Sequence, residues 1–380
     1  DALVDALKQW RQEGPPRNPG AWLMTVGKRK AVDLFRRNQT LATKYARIGV
    51  DLAAGEPLES PADLDEPIED DRLRLIFTAC HPVLPTEARV ALTLRVLGGL
   101  TTPEIARAFL SSEPTIAQRI VRAKRTLAES RVPFEVPRGL DRAARLSSVL
   151  EVIYLIFNEG YSATAGDDWM RPALCEEALR LGRILAGLAP REPEVHGLVA
   201  VMEIQASRSR ARTGPDGAPI LLLDQDRSRW DQLLIRRGLA ALERAESLAR
   251  APGPYALQAA IAACHAWART AAETNWARIA ELYDALLGVT PSPVIELNRA
   301  VAVSMARGPA EALALVERLN ADGALRNYHL LPSVRGDLLM KLGRREEARV
   351  EFEHAASLTK NRRERALLLE RASACGATPA

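Results

Sequence analysis

Between Glu113 and Ser130, side chains able to hydrogen-bond or carry charge recur at three- and four-residue spacing. Projected at 100° per residue, Arg125, Gln118, Arg122, Thr115, Thr126 and Arg119 share one arc, and Ala123, Ile116, Leu127 and Ile120 share the opposite one. The chemistry this suits is recognition. A guanidinium bridges guanine N7 and O6, a glutamine amide pairs with adenine, and further cations such as Lys124 and Arg125 hold phosphates.

A second constellation lies earlier. On a helix over Ala21–Gln39, Leu23, Gly27, Ala31, Leu34, Met24 and Phe35 fall on one arc. Arg29, Lys30, Arg36 and Arg37 lie outside it, together with Trp22 and Val26. An apolar face docks such a helix, and a basic face carrying an aromatic suits backbone phosphates and unstacked bases.

Nothing comparable points to catalysis or metal. The cysteines Cys80, Cys175, Cys264 and Cys375 are scattered without a C-x-x-C pair, and the five histidines form no H-E-x-x-H pattern. That argues against a disulfide framework or a zinc site, fits a reducing cytoplasm, and implies no cofactor. The best polar clusters left over are Asn158-Glu159-Gly160-Tyr161 and Asp224-Gln225-Asp226. They read more simply as a polar helix end and as an N-cap before a helix over Arg227–Ala249. Trp267 and Trp276 read as core.

The elements that must position these residues are nearly all helical. Helices are expected near Ala2–Glu13, Ala21–Gln39, Asp71–Thr78, Thr86–Leu97, Pro103–Phe109 and Glu113–Ser130, with a second set from Leu140 to Ala374. Thr101-Thr102-Pro103-Glu104 starts a short helix, either as a Thr101/Glu104 capping box or with Thr102 capping and Pro103 at the first helical position. Leu110-Ser111-Ser112 turns the chain, and Ser112 caps the donor-rich helix. The product is a helix-turn-helix. Charge alternates around it: Lys28–Arg47 holds seven bases and one acid, and Val50–Asp71 holds nine acids and no base. Two nucleic-acid surfaces joined by an acidic connector would give that pattern.

Residues 41–70 read as a linker. Two prolines and a glycine between Val132 and Gly139 mark a second boundary, and Thr213–Asp226 is a further interruption, with room for a short hairpin. Late in the chain, Arg307-Gly308-Pro309-Ala310-Glu311-Ala312 is echoed by Leu342-Gly343-Arg344-Arg345-Glu346-Glu347-Ala348, continuing to Phe352 and Ala356. The string resembles the second half of a tetratricopeptide (TPR) unit. No apolar run reaches the ~20 residues a membrane span needs. Asp1 sits inside a helical pattern, so a preceding segment is expected.

These residues carry a family resemblance. Asn18-Pro19-Gly20-Ala21-Trp22-Leu23, followed by Gly27 through Arg37, resembles the end of region two of extracytoplasmic-function (ECF) sigma factors. Leu84-Pro85 through Leu100, Glu104-Ile105-Ala106, Ser112–Ile116 and Arg119–Leu127 resemble their region four. Residues 138–380 resemble the C-terminal extension of the subgroup with a TPR-like tail, on Leu155–Ser162, Asp224–Asp231, Tyr283–Leu287 and Ser292–Ala300. The resemblance implies an all-α protein: partial region two (1–40), acidic linker (41–70), region four (71–137) and helical extension (138–380). It implies binding to core RNA polymerase and promoter DNA, with no catalytic residue of its own. Arg17 and Asn18 would receive a −10 base, with Trp22 on the same DNA-facing helix and Lys28, Arg29, Arg36 and Arg37 on the surrounding DNA. Thr115, Gln118, Arg119 and Arg122 would face the −35 groove, with Lys124 and Arg125 on phosphates. The turn at Leu110 lacks the glycine common in such motifs. A TPR-coupled regulator that binds duplex DNA without polymerase is the competing reading. The extension is expected to dock on the sigma half or on another protein.

Overall fold

In the computed structural model the described residues are 73–109, 111–137, 139–215 and 217–376. The chain divides into two compact units, Asp1–Arg74 and Leu75–Ala380. The second is all-α. Helix α1 (73–79) is followed by α2 (Thr86–Val96), α3 (Thr102–Ala108) and α4 (Glu113–Glu129). Then come α5 (Gly139–Tyr161), α6 (Pro172–Leu188), α7 (Pro193–Ala206), α8 (Gln232–Leu248) and α9 (Pro254–Trp267). The last six are α10 (Trp276–Val289), α11 (Pro293–Arg307), α12 (Pro309–Asp322), α13 (Leu330–Lys341), α14 (Arg345–Leu358) and α15 (Arg362–Gly376). None of the described helices is long and apolar enough to cross a membrane.

Proline recurs in the first turn of these helices, at Pro172, Pro193, Pro254, Pro293 and Pro309, where its missing N–H costs nothing. Between α11 and α12, and again between α13 and α14, the chain turns at Gly308 and Gly343, with φ of 107° and 76°. Those left-handed conformations explain why glycine recurs in the sequence repeat. After each turn an alanine, Ala312 or Ala348, is fully buried, and four residues on a larger side chain, Val316 or Phe352, is buried too. One core runs from Leu257 on α9 to Cys375 on α15.

Two sequence expectations need correction. Asp226 caps only the short turn Arg227–Arg229, through Ser228 N–H; α8 begins at Gln232, and Asp231 caps it by accepting from Leu233 and Leu234 N–H. Two aspartates five residues apart offer the same chemistry, and the Trp230 ring, 4 % exposed, has to be buried before the helix starts. Trp267 is not core: it ends α9 and is 63 % exposed, while the inner position goes to His265, edge-on to the half-buried Trp276 at 5.1 Å.

The interruption between α7 and α8 forms a small antiparallel bridge, Thr213 to Pro219. Next to it, buried Arg212 lies 3.4 Å from the Tyr161 ring centroid and 4.3 Å from that of Trp169, and donates to Tyr161 O. Burial pulls its pKa down to about 10, so the cation persists at neutral pH and fixes the end of α5 by stacking. The end of the helical series is also tied to its start. β1 (Ala165–Gly166) pairs in parallel with β2 (Lys360–Asn361). Asn361 Nδ2 donates to Ala163 O at 3.1 Å and to Asp168 O at 3.0 Å.

Candidate nucleic-acid interface

The helix-turn-helix is built by its caps. Thr101 N–H and Oγ1 donate to Glu104 Oε2 at 2.7 and 2.6 Å, and Glu104 N–H reaches back to Thr101 Oγ1 at 3.4 Å. Of the two starts open from sequence, the capping box is the one formed. Ser111 N–H closes the turn onto Ala106 O, and Ser112 Oγ accepts from Thr115 N–H. Ile105, Ala106, Ile116, Ile120 and Ala123 are buried, as are Leu84 and Leu94, and α4 packs on α2 and α3 through its apolar face, which fixes its roll.

With that roll set, Thr115, Gln118, Arg122, Lys124 and Arg125 are exposed and Thr126 is half-buried. Thr115, Gln118, Arg119 and Arg122 line one surface recess of about 390 Å³ with Pro85 and Glu87. Arg125 is paired only loosely, 3.9 Å from Glu129. Arg119 differs from the others. It is half-buried and also lines a second cleft, on the side of α4 facing α5. Arg17, Asn18, Trp22, Lys28, Arg29, Arg36 and Arg37 lie outside the described residues.

What sequence reasoning missed is how α1 and α2 are held from behind. Arg89, 8 % exposed, donates to Ser148 Oγ, to Glu151 Oε2 at 3.0 Å and to Thr86 Oγ1 at 2.8 Å. Ser148 Oγ donates in turn to Cys80 O, Arg145 to Phe77 O, and Arg180 of α6 to Leu97 O at 2.6 Å. Helices α5 and α6 thus hold α1 and α2, and the Thr115, Gln118 and Arg122 stripe of α4 stays exposed. The available signal was an arginine among apolar neighbours in Ala88-Arg89-Val90-Ala91-Leu92; its partners lie about sixty residues on. Burial pushes the Cys80 thiol in the same contact up to about 11, so it is an inert packing group.

This grip has a measurable weight. Arg89→Met keeps much of the volume and removes three hydrogen bonds, and should cost about 1–3 kcal/mol. Chemical denaturation with the Ser148→Ala variant as a cross-check reads it: additive losses from the two would show that the residues do not act together.

Residues 74–127 match the family described as "Sigma-70, region 4", and residues 145–246 match a family of unknown function, DUF6596. Along its whole length the chain is 44 % identical to an uncharacterized protein of Rhizobium meliloti, covering 89 % of that protein. It is also 31 % identical over 125 residues to the ECF RNA polymerase sigma factor SigK of Mycobacterium ulcerans, and 34 % over 107 residues to that of Mycobacterium bovis. Those matches cover 32 % and 28 % of this chain, and 65 % and 55 % of the two SigK proteins. The segment that carries the helix-turn-helix is thus similar to sigma-70 region 4, and the chain as a whole belongs to one family with the Rhizobium meliloti protein.

Proposed function

We propose that this chain is an RNA polymerase sigma factor of the ECF kind, recognising −10 and −35 promoter elements for core polymerase in the cytoplasm. The observation that carries the reading is the capped region 4 helix with Thr115, Gln118 and Arg122 exposed along one stripe. In this reading residues 1–40 are the later part of region two, 41–70 the acidic linker, 71–137 region four and 138–380 a TPR-like regulatory extension. Arg17, Asn18, Trp22, Lys28, Arg29, Arg36 and Arg37 would serve the −10 element. Thr115, Gln118, Arg119 and Arg122 would read the −35 groove, with Lys124 and Arg125 on phosphates. The polymerase performs the chemistry; this chain selects where it begins.

The direct test is transcription in vitro with core polymerase, using the full-length protein with and without residues 139–380. Promoter-dependent transcript from the full-length protein is expected. Duplex binding without any polymerase-dependent opening would leave only the reading as a regulator that does not engage polymerase. Within region four, Arg122→Ala and Gln118→Ala should each cost about 1–3 kcal/mol of discrimination at one base pair. Lys124→Ala should weaken binding to all duplexes alike and lower the salt slope by about one unit. An unchanged ranking of promoter variants by Arg122→Ala would remove that residue from the groove.

A further inference from the structure

Three separate parts of the chain meet behind the recognition helix and enclose a cleft of about 590 Å³. One wall is helix-turn-helix: Val90, Ile105, Phe109, Ile116 and Arg119. A second is the end of α5, where Leu155, Asn158 and Ser162 recur at helical spacing and all three are exposed. The third comes from almost two hundred residues later, with Tyr328, His329 and Leu330 at the start of α13 and Glu364 on α15. The volume lies in the range of small-molecule sites, and the composition matches too, mostly apolar with a few polar groups. Asn158, Glu159 and Tyr161 of the polar cluster at the end of α5, for which the promoter-binding role has no use, line this cleft.

The charges select the class of ligand. The Glu159 carboxylate is taken by Arg171 at 2.5 Å and by Thr164 Oγ1 at 3.0 Å. Glu364 is taken by His329 Nε2 at 2.9 Å and Thr359 Oγ1 at 2.6 Å, and these contacts outweigh desolvation to hold its carboxyl below the usual range. Glu87 also lines the cleft, but it is exposed, so water screens its charge. Arg119 has no partner among the described residues, and it is half-buried, so it is the cation on the wall that is shielded from water and left unanswered. An apolar body would cover Leu155 and Phe109, and a carboxylate would pair with Arg119. A charge-assisted hydrogen bond there gains strength from the partial exclusion of water.

We propose that this cleft binds a small amphipathic anion, an apolar body carrying one carboxylate, and that its occupancy draws Arg119 away from DNA. The site needs only the cleft; the regulatory half rests on region four binding DNA through α4. Because Arg119 lines both the cleft and the groove-facing recess, the two ligands compete for one guanidinium. Linkage then requires each to weaken the other by the same factor.

Calorimetric titration of the full-length chain with decanoate, decanol and decylamine tests the site. One decanoate per chain is expected, bound about tenfold more tightly than either comparator. Leu155→Trp and Ser162→Trp, both at exposed positions lining the cleft, should each weaken decanoate about tenfold while DNA affinity without decanoate stays as in the parent. Arg119→Ala should abolish the preference for the anion. No decanoate binding, equal binding of decylamine, or indifference to both tryptophan variants would each overturn the site. Decanoate that binds without weakening a −35 duplex would overturn the competition. A chain that takes decanoate and binds no promoter DNA would overturn the proposed function and leave the site standing.

Discussion

Phe352→Ala is expected to lower the unfolding free energy of the C-terminal helices by about 3–5 kcal/mol, the cost of emptying a core aromatic position. The ring is 1 % exposed and sits where α13, α14 and α15 meet. On α13 it lies against Gly336, where even a β-carbon would fall 2.9 Å from the ring. On α15 the Arg371 guanidinium stands 4.3 Å from its centroid, held from behind by Asp337 at 2.5 Å. On α14 its buried companions, Ala348, Ala355 and Ala356, are too small to fill the space it would leave. Collapse is therefore limited, which places the loss toward the upper part of the range. Urea denaturation followed by circular dichroism reads it, with Phe352→Leu expected to lose less than half as much. A loss under about 1 kcal/mol, the average for any substitution, would mean that the last hairpin contributes little to the common core.

The second large effect is expected at Asn361, which is 1 % exposed and uses both ends of its amide. Its Oδ1 accepts from Arg363 and Glu364 N–H, capping α15, and its Nδ2 donates to Ala163 and Asp168 carbonyls. Alanine removes a cap and leaves a buried carbonyl at Ala163 without a donor, for a combined loss of about 3 kcal/mol. Asn361→Asp separates the two roles. The carboxylate still caps the helix, yet it sets negative charge against two carbonyl oxygens, so this variant should be at least as damaging as alanine. Limited proteolysis across residues 359–376, alongside denaturation, provides the readout. Wild-type behaviour of Asn361→Asp would show that only the cap matters.

Local signals in the sequence carried the recognition element well. The Thr101/Glu104 box, the Ser112 cap and the segregation of Ile116, Ile120 and Ala123 from Gln118 and Arg122 are relations within seven residues, where side-chain chemistry and helical geometry are enough. The Gly308 and Gly343 turns were legible for the same reason: a left-handed turn admits few residues. What escaped was long-range. Nothing near Arg89 in the chain announces Ser148, and nothing near Ala163 announces Asn361. That Arg119 lines a second cleft, besides the recess it shares with Thr115, Gln118 and Arg122, could not be read either, because a helical projection does not show what packs beside the helix. The misplaced cap at Asp226 shows the converse: two residues with the same local aptitude are told apart only by what must be buried between them.

The tie between Ala163 and Asn361 bears on the order in which this protein becomes complete. An open array of hairpins can be finished from one end, each unit settling as it leaves the ribosome, and its last unit frays at little cost. Here a contact spanning 198 residues forms only after everything between is in place, so it is among the last to close. The helix-turn-helix emerges early, yet the wall that Tyr328, His329 and Glu364 build beside it arrives with the final hairpins. A chain released before Asn361 would carry the helix-turn-helix without the Glu364 part of that wall and without the bond that anchors it. The far end of the molecule is thereby part of the surroundings of a helix near its beginning, so completeness of the chain and completeness of that cleft are one condition.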